Sequence, residues 1–238
     1  MEIYSEEGVV KNWESAPNGL YKPFAFLNKA QELANLHANC LGFGYGNLIA
    51  SNFIWVLSRF YIQFIRVPKW QERLCFETWH KGSNRLFGLR DFRVTDSKGE
   101  TVINATSSWL IIDHKSRKIQ NIESALKDYH RSGLKRDAVV LPAPKLRAPA
   151  NLKFNSIHRV SYSDIDINGH TNNAKYFEWG ADALPFDIMK EFQIKELILN
   201  YNNESFPMEE IELFTSLEPT LFVEGRRGND SIFQMEIR

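Results

Sequence analysis

Two stretches of this chain repeat apolar residues at helical spacing. In residues 23–41, Phe24, Leu27, Ala30, Ala34, Leu36 and Leu41 fall on or near one face. In residues 172–192, Tyr176, Phe177, Ala183, Leu184, Ile188 and Met189 do the same. Gly42 and Gly44 supply a stop for the first helix, because glycine tolerates the left-handed backbone that ends helices. Pro185 predicts a break or kink in the second, since proline has no N–H to donate. Elsewhere the chain is rich in aromatic and β-branched residues and punctuated by turn residues, which predicts strands at 58–68, 73–79, 86–95 and 101–113. Further strands are expected at 195–207, 210–215, 220–224 and 231–237. Asp96-Ser-Lys-Gly99 would turn one hairpin and residues 225–230 the other.

The order of these elements repeats. Asn18-Gly19 in Ser15-Ala-Pro-Asn-Gly-Leu20 lies over Asn168-Gly169 in Ile165-Asp-Ile-Asn-Gly-His170, and a helix, a strand, a proline-containing turn and a further strand follow each. Residues 138–149 hold Pro142, Pro144 and Pro149 and read as a semi-rigid linker. The pattern predicts an α+β protein of two modules, 1–137 and 150–238, each an antiparallel sheet with a long helix packed on it. Two incomplete sheets would join edge to edge, which hides exposed strand edges.

The copies differ where chemistry is concerned. Asp166, Asn168 and His170 place a carboxylate, a carboxamide and an imidazole at alternate positions, one side of an extended segment, just before a helix start. A base, its partners and free backbone N–H groups would then meet, as acyl-group hydrolysis requires. The first copy has Ala16 and Leu20 in place of Asp166 and His170. Asp-x-Asn-Gly is also a turn and cap signature, and Asn172 and Asn173 read as caps.

Composition removes several alternatives. A formal net charge of zero gives no whole-molecule attraction to nucleic acid or anionic membrane. The longest apolar runs, such as 48–57, are too short to span a bilayer, and the first residues lack a basic-then-apolar signal, so the cytoplasm is the expected compartment. Cys40 and Cys75 lack metal-ligand spacing, and His37, His80, His114, His130 and His158 are scattered. Neither a metal nor a cofactor is expected.

Residues 160–179, Val-Ser-Tyr-Ser-Asp-Ile-Asp-Ile-Asn-Gly-His-Thr-Asn-Asn-Ala-Lys-Tyr-Phe-Glu-Trp, resemble the hot-dog-fold thioesterase motif in its acyl–acyl carrier protein version. Residues 55–62, 68–70, 77–79, 85–92 and 105–113 resemble the first domain of the same family, so the likeness covers nearly the whole chain. The resemblance implies a double hot-dog fold with the active site in the second domain and the acyl-chain pocket in the first. It implies catalytic roles for Asp166, Asn168 and His170 and for a downstream Glu, which falls on Glu204. Many plant members carry Cys after that Glu; this chain has Ser205, with no evident base of its own, which favours direct attack by water. Backbone N–H groups around 170–172 would receive the oxyanion. Phe53, Trp55 and Leu57 are expected to line the acyl pocket, with Asn172, Asn173 and Ser205 as further substrate contacts. The expected partner is an acylated acyl carrier protein, which is acidic and would meet cations among Arg131, Lys135, Arg136, Lys145, Arg147, Lys153, Arg226 and Arg227. An acyl-CoA thioesterase, a non-catalytic acyl-thioester binder and a hot-dog dehydratase remain open, as does the choice of carboxylate that takes the proton.

Overall fold

The computed structural model describes residues 2–126, 133–191 and 193–238; His130, Arg131 and Phe192 lie outside the described residues. The first half runs β1 (Tyr4–Val9), α1 (Pro23–Leu41), α2 (Tyr45–Ala50), β2 (Phe53–Phe64), β3 (Arg73–Ser83), β4 (Phe87–Asp96), β5 (Thr101–Asp113) and α3 (Ile122–Ala125). The second runs β6 (Lys153–Arg159), α4 (Asn173–Asp182), α5 (Phe186–Glu191), β7 (Glu196–Tyr201), β8 (Glu210–Ser216), β9 (Leu221–Arg227) and β10 (Asp230–Ile237).

All ten strands form one sheet in the order β1-β3-β4-β5-β2-β7-β10-β9-β8-β6. The halves are mirror images in this order, and they meet edge to edge where β2 pairs antiparallel with β7 from Arg59↔Asn200 to Gln63↔Glu196. The sheet wraps both long helices. Phe26, Ala30 and Leu33 of α1 and Tyr176, Phe177 and Trp179 of α4 share one buried core with Phe60, Ile62, Leu197, Leu199, Phe233 and Met235 of the strands.

The other face of the seam carries the linker. Alternate residues of a strand face opposite ways, so Ile198 joins Leu146 and Phe222 in a separate small cluster. Asn200 fixes the linker there: its carbonyl oxygen accepts from the Leu146 N–H at 2.8 Å and its amide donates to the Pro144 carbonyl at 3.0 Å. Upstream, the buried Asp91 carboxylate accepts from the Ala138 N–H at 2.8 Å.

Helix α1 has the expected bounds because Pro23 sits at its start and Gly42, at φ 85°, ends it. Of its expected face Leu27, Ala30, Ala34 and Leu41 are buried and Phe24 and Leu36 only half-buried, and the buried face extends to Phe26, Leu33 and His37. The second helix breaks at Pro185 into α4 and α5. Three expectations need correction. β1 and β6, outermost in the sheet, carry largely polar, exposed sequences and were not predicted as strands. The strand expected at 58–68 runs instead from Phe53 to Phe64, so the apolar run at 48–57 divides between α2 and the start of β2. The last hairpin turns more tightly than 225–230: Gly225 lies inside β9, because a Cβ there would sit 2.2 Å from the Phe233 ring.

Candidate active site

The duplicated Asn-Gly turns are built alike. In the second, the Asp166 N–H donates to the His170 carbonyl at 2.8 Å and the Gly169 N–H to the Asp166 carbonyl at 3.0 Å. In the first, Ala16 and Leu20 are joined at 2.8 Å, as are Gly19 and Ala16. The two glycines have φ of 79° and 77°, a conformation that costs a side-chain-bearing residue energy. Residues 166–170 are therefore a closed turn, not an extended segment. Convergence of the three polar side chains comes from the turn.

Each turn is stitched to the loop after the strand its half contributes to the seam, β2 or β7. The Thr171 N–H donates to the Ser205 carbonyl at 3.1 Å; the Tyr21 N–H donates to the Pro68 carbonyl at 2.8 Å. Glu204, just before Ser205, thus corresponds to Val67, just before Pro68. Ser205 itself is fully buried. Its hydroxyl meets the Thr171 hydroxyl at 2.7 Å and the Tyr176 hydroxyl at 3.0 Å. It holds Glu204 against the turn from below and does not line the cavity, contrary to the contact role expected of it.

The result is a carboxylate beside an imidazole. His170 Nδ1 lies 3.6 Å from Glu204 Oε1, and the edge of Phe206 packs on the imidazole at 5.1 Å between ring centroids. The Asp166 carboxylate is engaged locally, accepting from the Asn168 N–H at 2.8 Å. Arg117, from the first half, forms an ion pair with the same Oε1 of Glu204.

His170 and Glu204 stand at one end of a cavity of about 670 Å³ that crosses from the second half into the first. Asp166, Asn168, Asn172, Asn173 and Tyr176 line it on one side; Ala34, Ala38, Phe43, Trp55, Leu57 and Trp109 line it on the other. The sequence-predicted residues are thus brought together except for Ser205 and Phe53, which packs with the small cluster of Ala38, Leu41, Phe43 and Leu48. Trp55 is held by its indole N–H, which donates to the Phe43 carbonyl at 3.1 Å. Deep in the first half the wall includes His80 and Arg90. Arg90 is buried and contacts His37 Nδ1 at 2.8 Å; burial pulls its guanidinium down to about 9. Burial first, and then the charges of Arg90 and His37, lower His80 to about 4.

Asn172 caps α4, accepting from the Ala174 N–H at 2.9 Å, and Asn173 donates to Gln31 of α1 at 2.6 Å. The Asn172 N–H donates to the Asp164 carbonyl at 2.8 Å. With the Thr171 N–H bound to Ser205, neither of these two backbone groups is available for an oxyanion, which narrows the expected 170–172 span to the His170 N–H. Among the expected docking cations, Arg136 stacks on Trp79 at 4.7 Å, Arg226 pairs with Glu224, and Arg227 pairs with Glu209 at 2.8 Å. Lys135, Lys145, Arg147 and Lys153 are exposed.

A second cavity, about 360 Å³, lies at the equivalent place in the first copy, between its turn and the α4–α5 helices. Ala16, Leu20 and Val67 line it where the first cavity has Asp166, His170 and Glu204. Among the described residues no cluster of His, Cys, Asp or Glu has metal-binding form, and no helix is long and apolar enough to cross a membrane.

Comparison with known proteins agrees with this layout. The acyl-ACP thioesterase N-terminal domain matches residues 2–129 and the acyl-ACP thioesterase C-terminal domain matches residues 148–237. An acyl-ACP thioesterase from Bacteroides thetaiotaomicron superimposes with a TM-score of 0.81 at 28% identity, covering 99% of this chain and 96% of that one. A 12:0-ACP thioesterase from Umbellularia californica gives a TM-score of 0.83 at 19% identity, covering 99% and 96%, a likeness of fold. Oleoyl-acyl carrier protein thioesterase 2, chloroplastic, of Arabidopsis thaliana is 25% identical over 90% of this chain, and the chain spans 63% of its length. Two tandem halves on a double hot-dog sheet, matched by both family domains, place the chain in the acyl-ACP thioesterase family.

Proposed function

We propose that this protein hydrolyses acyl–acyl carrier protein thioesters to free fatty acid and carrier-protein thiol. The observation that carries the reading is the His170–Glu204 pair on the wall of a cavity to which the other half contributes Ala34, Ala38, Phe43, Trp55, Leu57 and Trp109, with His80 and Arg90 among them. Such a cavity suits an acyl chain, with polar groups gathered at the reacting end to fix the thioester.

In this reading water is the nucleophile. Glu204 and His170 take its proton as its oxygen bonds to the thioester carbonyl carbon. The C–S bond then breaks, and the proton passes from the imidazolium to the departing thiolate. Imidazole suits both transfers because its pKa lies near working pH. The developing oxyanion falls to the Asn168 carboxamide and the His170 N–H, since the N–H groups of Thr171 and Asn172 are engaged. Asp166 fixes the turn that presents Asn168, through its bond to the Asn168 N–H. Ser205, buried under Tyr176 and Thr171, is a support and not a nucleophile.

The test is steady-state hydrolysis of matched carrier-protein and CoA thioesters over several chain lengths, with His170→Ala and Glu204→Gln beside the wild type. The expected result is a higher kcat/KM for carrier-protein substrates and inactive variants. A preference for CoA esters would reassign the partner and leave the site. Thioester binding without turnover would make the protein a binder.

A further inference from the structure

The geometry assigns Arg117 as a positioning residue that holds the Glu204 carboxylate from the opposite half of the molecule. The inference rests on the proposed role of Glu204 and adds a residue that no motif marks.

Glu204 Oε1 lies between two groups: His170 Nδ1 at 3.6 Å, from its own half, and the Arg117 guanidinium, from the other. The Arg117 and Glu204 side chains are only about a third exposed, at 35% and 30%, so the pair is partly screened from solvent. A carboxylate on a flexible stem next to a catalytic imidazole needs a second anchor to stay in one rotamer. An arginine supplies it with directed N–H groups where a lysine supplies only a point charge.

The backbone that delivers Arg117 is built for the purpose. Arg117 is a non-glycine residue at φ 58°, in the turn that follows β5. Asp113 closes that turn: its carbonyl accepts from the Arg117 N–H at 2.9 Å, and its carboxylate accepts from the N–H groups of Ser116 at 2.7 Å and Lys115 at 3.1 Å. Asn52, itself at φ 62°, donates to the same carboxylate at 2.6 Å. A left-handed conformation would favour glycine at 117, and the surroundings over-determine it for a residue that carries a side chain. The side chain so placed reaches the carboxylate that stands beside His170.

The pair also joins two turns at the cavity that belong to different halves, so this part of the site depends on the registration of the halves at the β2–β7 seam.

The experiment uses the full chain and an acylated carrier protein, with Arg117→Asn, which tolerates the left-handed backbone, and Arg117→Gly, which prefers it. Expected are a kcat lowered about 10-fold or more, KM within twofold of wild type, and a melting temperature equal to or above wild type for Arg117→Gly. Low millimolar guanidinium, well below denaturing concentrations, should restore part of the rate to Arg117→Gly and none to Glu204→Gln. Adding Glu204→Gln to Arg117→Gly should cost no more than Glu204→Gln alone. A raised KM with unchanged kcat would overturn the inference and make Arg117 a substrate contact. Fully additive losses, or a rate loss tracked by a lower melting temperature without guanidinium rescue, would overturn it as well. If Glu204→Gln alone keeps wild-type activity, the proposed role of Glu204 has failed, a result separate from any failure of Arg117.

Discussion

The two Asn-Gly turns of this molecule share their hydrogen bonds and their left-handed glycines, yet only one carries ionisable chemistry. Around the first turn stand Ala16, Leu20 and Val67 and a cavity of about 360 Å³; around the second stand Asp166, His170 and Glu204 and a cavity of about 670 Å³. The comparison separates what the scaffold needs from what the reaction needs. The glycine, the backbone bonds from turn to loop and the helix that follows are scaffold, because both copies keep them. The carboxylates and the imidazole are chemistry, because one copy does without them.

Substitutions test this division between scaffold and chemistry. The largest effect is expected from His170→Ala, which should lower kcat roughly 10²–10⁴-fold, the usual worth of a positioned proton-transfer group. Leu20→Ala in the matching position should leave kcat within about twofold, the scatter expected of a site remote from the chemistry. Steady-state kinetics on both variants would show it, and equal losses would end the claim of one active copy.

A second contrast lies between the strands. β3 runs on to Ser83 and carries His80 to the cavity wall, whereas β8 stops at Ser216. His80 takes a proton at about 4 in the folded protein but near its ordinary value of 6.5 when unfolded. The unfolded state therefore gains a proton first as pH falls, and stability drops between about pH 6.5 and pH 4. With about 1.4 kcal/mol for each tenfold in proton affinity, the loss has a ceiling of about 3 kcal/mol. Urea unfolding at several pH values should show the loss in wild type and a flatter profile in His80→Gln. Parallel profiles would mean that His80 does not set it.

Smaller effects test the shared scaffold. Gly19→Ala and Gly169→Ala should each cost about 1–2 kcal/mol of stability, since both glycines are left-handed. Thermal unfolding should register similar losses, while only Gly169→Ala also lowers kcat. The smallest effect concerns the acyl wall. A Cβ on Gly88 would meet the Trp55 ring at 3.0 Å, and the bond from Trp55 to the Phe43 carbonyl limits its retreat. Gly88→Ala should therefore push the indole into the cavity and move the preferred acyl chain shorter by a few-fold in relative kcat/KM. A competition assay across chain lengths would reveal it, and an unchanged profile would remove Trp55 from the substrate wall.

Much of this architecture was legible in the sequence where local chemistry and tertiary packing agree. Pro23 and Gly42 bound α1 without help from its neighbours, and Pro185 breaks the second helix for a local reason. β1 and β6 escaped notice because an edge strand can satisfy water with polar residues and leaves little alternation to read. Gly225 read as a turn because its need for space comes from Phe233, across the hairpin. The motif around His170 was visible because its residues are neighbours in sequence. Ser205 was misjudged because its partners, Thr171 and Tyr176, meet it only in the folded chain. Arg117 gave no signal at all: in sequence it is one more cation in a charged turn, and only the pairing of the halves brings it to Glu204.

The seam between β2 and β7 also bears on how such an arrangement can change. Two identical half-length chains joined at that edge would form a symmetric pair, in which every substitution strikes both sites at once. A covalent chain has no such obligation. Ala16, Leu20 and Val67 can be apolar without disarming His170, and a guanidinium can be supplied to one carboxylate alone. Joining the halves in one polypeptide thus frees each copy of the turn to drift separately, so that one can devote itself to burial while the other keeps its charges.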